Sequence, residues 1–179
     1  MIEEQEKLFK NDPFIAHVIE SKANITLVGG AVSDILEGRR PKDYDVLNLF
    51  APSIVKMGLD YQYDTKTATT YKYGFVTVQA LKRQKQDFDF KISQSQLSVD
   101  ISGKMTLTVD SDSFNKKVLI PTDVAWIDMY SARNSLARVK HWKKKGYEIH
   151  NMTYKSLKKV AKLRLIDKIL NLFSNVQAS

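Results

Sequence analysis

The chain has 179 residues, 43% of them hydrophobic and 10% aromatic, enough for one globular domain with a small helical extension and unlike a disordered chain. It has no cysteine, which excludes disulfides, thiolate zinc sites and cysteine nucleophiles, and the spacing of its three histidines (His17, His141, His150) suggests no metal cluster. The net charge of +8 is uneven: Arg133 to Lys168 holds twelve Lys or Arg against two acids, a net +10, so the C-terminal part carries the basic character. That run reads either as a phosphate-tracking surface, for nucleic acid or a triphosphate, or as a solvated helix face that aids solubility. No apolar run approaches the roughly 18 residues of a membrane span, and the mixed-charge start MIEEQEKLFK is unlike a signal peptide, so a cytoplasmic protein is expected.

In chain order, about Glu3 to Glu20 is predicted helical, broken near Asp12-Pro13, where aspartate caps and proline opens a second helix. Phe14, Ile15, Val18 and Ile19 form its buried face, and it reads as scaffold. Ile25, Leu27 and Val28 form a short apolar strand ending in Gly29-Gly30; a short helix follows from Ala31 to Glu37 and stops at Gly38. After the basic loop Arg39-Arg40-Pro41-Lys42 comes Asp43-Tyr44-Asp45-Val46-Leu47, where a period of two puts both carboxylates on one strand face and Tyr44 and Val46 on the other. Two hard-oxygen ligands beside a glycine turn suit a magnesium ion that keeps other positions for water and phosphate oxygens. Glycines without Cβ let backbone N–H groups approach those phosphates.

The run Leu27-Val28-Gly29-Gly30-Ala31-Val32, with Asp34 and then Lys42-Asp43-Tyr44-Asp45, resembles the nucleotidyltransferase superfamily of DNA polymerase beta. The branch it is most similar to is that of CCA-adding enzymes and bacterial poly(A) polymerases, whose head domain opens LVGGAVRD and continues to KDIDI; Ser33 stands where that branch has arginine. Asp89-Phe90-Lys91-Ile92-Ser93 is similar to its DFTIN motif, and Leu136 to Ile149 to its LRAVRFAAKLGFTI segment. The resemblance implies Mg²⁺- or Mn²⁺-dependent transfer of a nucleoside monophosphate from an NTP to an acceptor hydroxyl, with pyrophosphate released. It makes Asp43 and Asp45 metal ligands and catalytic, Asp89 a further catalytic candidate, and Gly29, Gly30, Lys42, Arg133 and Arg138 the nucleotide-binding set. The family also has a third carboxylate on a following strand and a base-selecting EDxxR motif. Here the strand positions are Thr77 and Gln79, and nothing of the EDxxR form occurs between Asp128 and Arg138, so templated C and A selection is not implied.

Beyond the aspartate strand, Ala51 to Leu59 reads as a helix with Pro52 in its first turn, Tyr61 to Thr70 as strand or loop, and Tyr73 to Leu81 as one strand. Lys82 to Gln86 reads as a polar turn, and Asp87 to Ile92 as a half-buried strand with Asp87, Asp89 and Lys91 outward, either solvated on a hairpin or with Asp89 or Asp87 approaching the Asp43/Asp45 pair. Ile101 to Asp112 reads as a hairpin turning at Ser102-Gly103, and Thr122 or Asp123 as the cap of a helix through Trp126, Met129 and Tyr130, with Trp126 in the core. The last helix, Tyr154 to Phe173, would bury Leu157, Val160, Ala161, Ile166, Ile169, Leu170 and Phe173, packing on the head or on a second copy.

The expected architecture is α/β (α+β): a small mixed sheet flanked by helices as a head over 1–125, and a basic helical extension over 126–179. The expected partners are a nucleoside triphosphate and RNA, with no membrane; the acceptor is an RNA 3′ end, a small molecule or a protein. The competing expectation is a catalytically degenerate module that grips nucleic acid or a protein through its basic C-terminal surface.

Overall fold

The computed structural model describes residues 3–47, 49–82, 88–126 and 129–162. They divide into two compact units: residues 1–87 with 92–110, and residues 88–91 with 111–179.

The first unit is built on a seven-stranded mixed sheet. Its strands are β1 (Ile25–Val28), β2 (Asp43–Leu47), β3 (Asp60–Asp64), β4 (Ala68–Tyr73), β5 (Val76–Leu81), β6 (Gln96–Val99) and β7 (Met105–Thr108), in the order β3-β4-β5-β2-β1-β6-β7. β2 and β5 run parallel, and the other neighbours are antiparallel. The helices are α1 (Glu3–Lys10), α2 (Pro13–Glu20), α3 (Gly30–Leu36) and α4 (Ala51–Lys56). The break between α1 and α2 has the expected cause: the Asp12 carboxylate accepts the backbone N–H groups of Phe14 and Ile15, and Pro13 opens the helix. Phe9, Phe14, Ile15 and Val18 are buried in one core with Ile25, Leu27, Tyr44, Val46, Val78, Leu97 and Val99, while Ile19 packs half-buried at its margin. This burial consumes one face of the central strands. The period of two leaves Asp43 and Asp45 on the other face.

One strand expectation is corrected here. Tyr73 to Leu81 is not one strand, because Gly74 takes φ 55°, where side-chain-bearing residues are disfavoured, and turns the chain from β4 into β5. Tyr61 to Thr70, open between strand and loop, supplies most of β3 and the first half of β4. The Ser102-Gly103 turn joins β6 to β7 as expected.

In the second unit, residues 88–91 do not form a half-buried strand with outward carboxylates. Phe88, Asp89 and Phe90 are all buried, because this short piece pairs with residues 120–122 through Lys91 N–H to Ile120 O (2.9 Å) and Thr122 N–H to Asp89 O (2.9 Å). The Thr122 hydroxyl adds a bond to Phe88 O at 2.6 Å. The helix expected from Thr122 is a 3₁₀ turn over Asp123–Trp126, followed by α6 (Met129–Lys144) after a short α5 (Ser111–Lys116). Gly146 at φ 84° turns the chain out of α6, and Tyr147 packs edge-on against Trp142 with ring centroids 4.9 Å apart. Residues 151–162 are helical, and Leu157 and Ala161 pack with Ala125 and Ala132. The expected apolar positions Ile166, Ile169, Leu170 and Phe173, like Asp87 and the Arg83–Gln86 part of the polar turn, lie outside the described residues, as does the side chain of Trp126.

Candidate active site

The site is built where β1 ends. Gly29 takes φ 75° and ψ −142°, a combination open essentially to glycine alone, and it turns the chain from strand into α3. Its N–H bonds Ser95 O at 3.1 Å, so this amide extends the β1–β6 pairing and is not directed at a ligand. A Cβ built on Gly29 would lie 3.6 Å from Asp45 Oδ2, which places the carboxylate beside the turn. Behind the turn, the buried Ser33 hydroxyl donates to Gly30 O at 3.0 Å, and Asp34 is held by Arg39, whose Nε and Nη2 both lie 3.0 Å from Oδ1. Arg39 also reaches Glu37 Oε2 at 2.6 Å, closing the loop that feeds the aspartate strand.

On β2, Asp43 is exposed and Asp45 half-buried, about 7 Å apart along the strand on one face, while Tyr44 between them is buried. Tyr44 is anchored rather than merely packed: its hydroxyl donates to Asp12 Oδ2 at 2.8 Å and its ring lies 4.5 Å from that of Phe14. Burial, with the hydrogen bond to Asp12 second, pushes the Tyr44 phenol far above its ordinary pKa. The sequence offers Asp12 as a cap and puts Tyr44 on the strand face opposite the two carboxylates, but nothing in their spacing announces the bond between them.

Sheet register defines the surroundings of the two carboxylates. Asp45 is opposite Val28 on β1 and Gln79 on β5; Asp43 is opposite Thr77 on β5; and Thr70 of β4 pairs with Gln79. The neutral Thr77 and Gln79 therefore flank the pair on the parallel strand. Among the described residues no three His, Asp or Glu side chains are grouped to hold a metal. Two hard carboxylate oxygens, one exposed and one backed by a glycine turn, suit a magnesium or manganese ion that completes its shell with water and phosphate. Lys42, next to Asp43, is exposed.

The remaining candidates belong to the second unit. Arg133 and Arg138 are both exposed residues of α6, and Asp89 is buried. Arg138 Nη1 lies 3.0 Å from Asp89 Oδ1, an ion pair that joins two positions 49 apart in sequence.

The Poly A polymerase head domain family matches the chain over residues 25–109. Over this stretch, 85 of its 179 residues, the chain is similar to that head domain. The matched stretch begins at β1 and ends just past β7, so it contains the glycine turn, both aspartates and the whole sheet. Solved structures agree on the fold. A Thermotoga maritima CCA-adding enzyme complexed with tRNA matches with a TM-score of 0.64 at 16% identity, covering 86% of this chain and 44% of its own. A CCA-adding enzyme with CTP matches with a TM-score of 0.66 at 14% identity, covering 90% and 47%. A tRNA-processing enzyme with CTP matches with a TM-score of 0.60 at 20% identity, covering 83% and 46%. The chain thus spans less than half the length of each of these three. No curated protein matches the chain in sequence. Among the described residues no helix is long and apolar enough to cross a membrane.

Proposed function

We propose that the protein is a metal-dependent nucleotidyltransferase that moves a nucleoside monophosphate from an NTP to an acceptor hydroxyl. The observation that carries this reading is that the Gly29 turn stands beside Asp45, with Asp43 on the same, solvent side of β2, within the stretch that matches the head domain. The head-domain family and the CTP-bound neighbours support the triphosphate as donor, and the tRNA-bound neighbour supports an RNA acceptor.

In this reading Asp43 and Asp45 hold Mg²⁺ or Mn²⁺, which when bound offsets the negative charge of the triphosphate. Gly29 keeps a side chain out of the space beside Asp45, and Gly30 follows it in the turn as a further glycine that phosphate oxygens can approach. Lys42 adds positive charge next to Asp43, and Arg133 and Arg138 are cationic ligands for phosphate. The acceptor hydroxyl gives up its proton to solvent as its oxygen attacks the α-phosphorus in line, the bond to the bridging oxygen breaks, and pyrophosphate leaves with the electron pair. Tyr44 takes no part in the chemistry; it fixes the strand that carries it.

The test is incubation with Mn²⁺ or Mg²⁺ and each α-labelled NTP, with bulk RNA as acceptor and an Asp43→Ala, Asp45→Ala double variant as control. Label transferred by the wild type and lost in the variant is the expected result. Absence of transfer together with absence of NTP binding overturns the reading.

A further inference from the structure

We propose that Asp89 is a positioning residue, whose buried carboxylate sets the Arg138 guanidinium as a fixed cationic edge on α6 for a phosphoryl group. That the phosphate belongs to a nucleotide or to RNA rests on the proposed transferase activity; the existence of the site does not.

Asp89 is 3% exposed, and among the described residues its carboxylate is met by the charge of Arg138, whose Nη1 lies 3.0 Å from Oδ1, without a donor in hydrogen-bonding geometry at either oxygen. Its backbone is locked by Thr122, so the side chain has little freedom to seek water. A carboxylate held this way is costly, and such pairs are weak evidence of stabilisation, since an apolar residue of similar volume commonly does as well. What the pair does supply is placement. Arg138 keeps its charge at any physiological pH, and its planar fork has donors on two edges. Asp89 engages Nη1, while 43% of the Arg138 side chain stays exposed and leaves the rest of the fork for a second acceptor.

The surroundings favour an anion as that acceptor. Between Met129 and Lys162 the chain has ten Lys or Arg and one acid, Glu148. Arg133 shares this field, but it has no ion pair among the described residues, so its long side chain must be ordered at the moment of binding. Arg138 already has a charge partner in Asp89. This also separates Asp89 from Asp43 and Asp45: a carboxylate buried against a guanidinium has its charge committed to that partner and acts through it.

Calorimetric titration of the full chain with tripolyphosphate, and separately with a single-stranded oligoribonucleotide, in the absence of divalent metal tests the assignment. Simple electrostatics says that Asp89→Asn, which removes a negative charge, strengthens anion binding. Positioning says the opposite, and the expected result is about tenfold weaker binding of at least one probe, the scale of a coupled pair. Arg138→Ala weakens it at least as much, Arg138→Lys also weakens it because the fork is lost, and the double variant Asp89→Asn, Arg138→Ala binds no worse than Arg138→Ala alone. If only tripolyphosphate responds, the phosphate is that of a nucleotide; if only the oligonucleotide responds, it is a backbone phosphate. Wild-type affinity in Asp89→Asn, losses that multiply in the double variant, or no binding of either probe by the wild type overturns the proposal. Should Asp89→Asn not fold, the Arg138→Lys and Arg138→Ala affinities decide. An Asp43→Asn, Asp45→Asn variant retains this metal-free binding, so failure of the transfer reaction and failure of this site are read separately.

Discussion

The hydroxyl of Tyr44 donates to Asp12 Oδ2 at 2.8 Å, and the other oxygen of the same carboxylate caps α2. One aspartate thus ties a helix N-terminus to the residue that separates Asp43 from Asp45. Tyr44→Phe keeps the ring packing against Phe14 but strips one acceptor of its donor in a buried place, so a loss of about 1–3 kcal/mol is expected by chemical denaturation. The pH dependence has a definite sign. The Tyr44 phenol is raised in the folded state, so its contribution is fully present below the ordinary tyrosine pKa of about 10 and falls as pH rises above it, by at most roughly 1.4 kcal/mol per pH unit. Melting curves between pH 9 and 12, with approximate pH values chosen to bracket that pKa, should show the wild type losing stability faster than Tyr44→Phe. Parallel curves would remove Tyr44 from the account.

Gly29→Ala separates conformational strain from crowding. The added Cβ would meet Asp45 Oδ2 at 3.6 Å, an ordinary contact, so space is not the obstacle. The backbone is: at φ 75° and ψ −142° alanine is strained by about 1–3 kcal/mol. The chain relieves that strain by moving the turn, and the Gly29 N–H bond to Ser95 O is the first to weaken. Hydrogen exchange at Gly29 should accelerate, with transfer activity falling more than stability alone explains. Unchanged exchange and activity would mean that the turn tolerates a side chain.

The glycine turn and the aspartate strand were legible because each is written locally: a short apolar run, two glycines, and carboxylates two residues apart. Asp12-Pro13 was legible for the same reason, since cap and proline are adjacent. The β4–β5 turn was missed because Gly74 stands alone between two β-prone stretches, and a lone glycine does not distinguish a turn from a weak spot in one strand. Asp89 was misplaced for a different reason. Alternation of charged and aromatic residues over Asp87 to Ile92 suggests an outward carboxylate, but tertiary pairing with residues 120–122 and an arginine 49 positions away decides its burial. No periodicity carries such information. The two neutral neighbours on β5 were named from sequence, but only the parallel register pairs Thr77 with Asp43 and Gln79 with Asp45.

That register makes Gln79→Glu informative. A third carboxylate beside Asp45 adds like-charge repulsion of about 1 kcal/mol without metal, which for a chain of this size lowers the melting temperature by about 2–4 °C. With Mn²⁺ present the sign reverses, since three carboxylates hold the ion more tightly than two. Melting temperatures with and without Mn²⁺ should cross between wild type and variant. If the variant is destabilised equally in both conditions, Gln79 does not face the metal position.

The same scarcity of protein ligands sets an order for assembly at Asp43 and Asp45. Two carboxylates fill a minority of the six positions around magnesium. Binding by the protein alone should therefore be weak, while the phosphate oxygens of a triphosphate complete the shell and couple the two ligands. Titration of Mn²⁺ by its paramagnetic signal, alone and with a non-hydrolysable NTP analogue, should show affinity rising by at least about tenfold in the ternary mixture, corresponding to a coupling of about 1.4 kcal/mol. Reciprocity requires the analogue to bind more tightly by the same factor when Mn²⁺ is present. Asp45→Asn should abolish the coupling while the Arg138-dependent affinity for tripolyphosphate persists. Equal Mn²⁺ affinity with and without the analogue would mean that metal and nucleotide do not meet on this strand, and Asp43 and Asp45 would lose their place in the proposed chemistry.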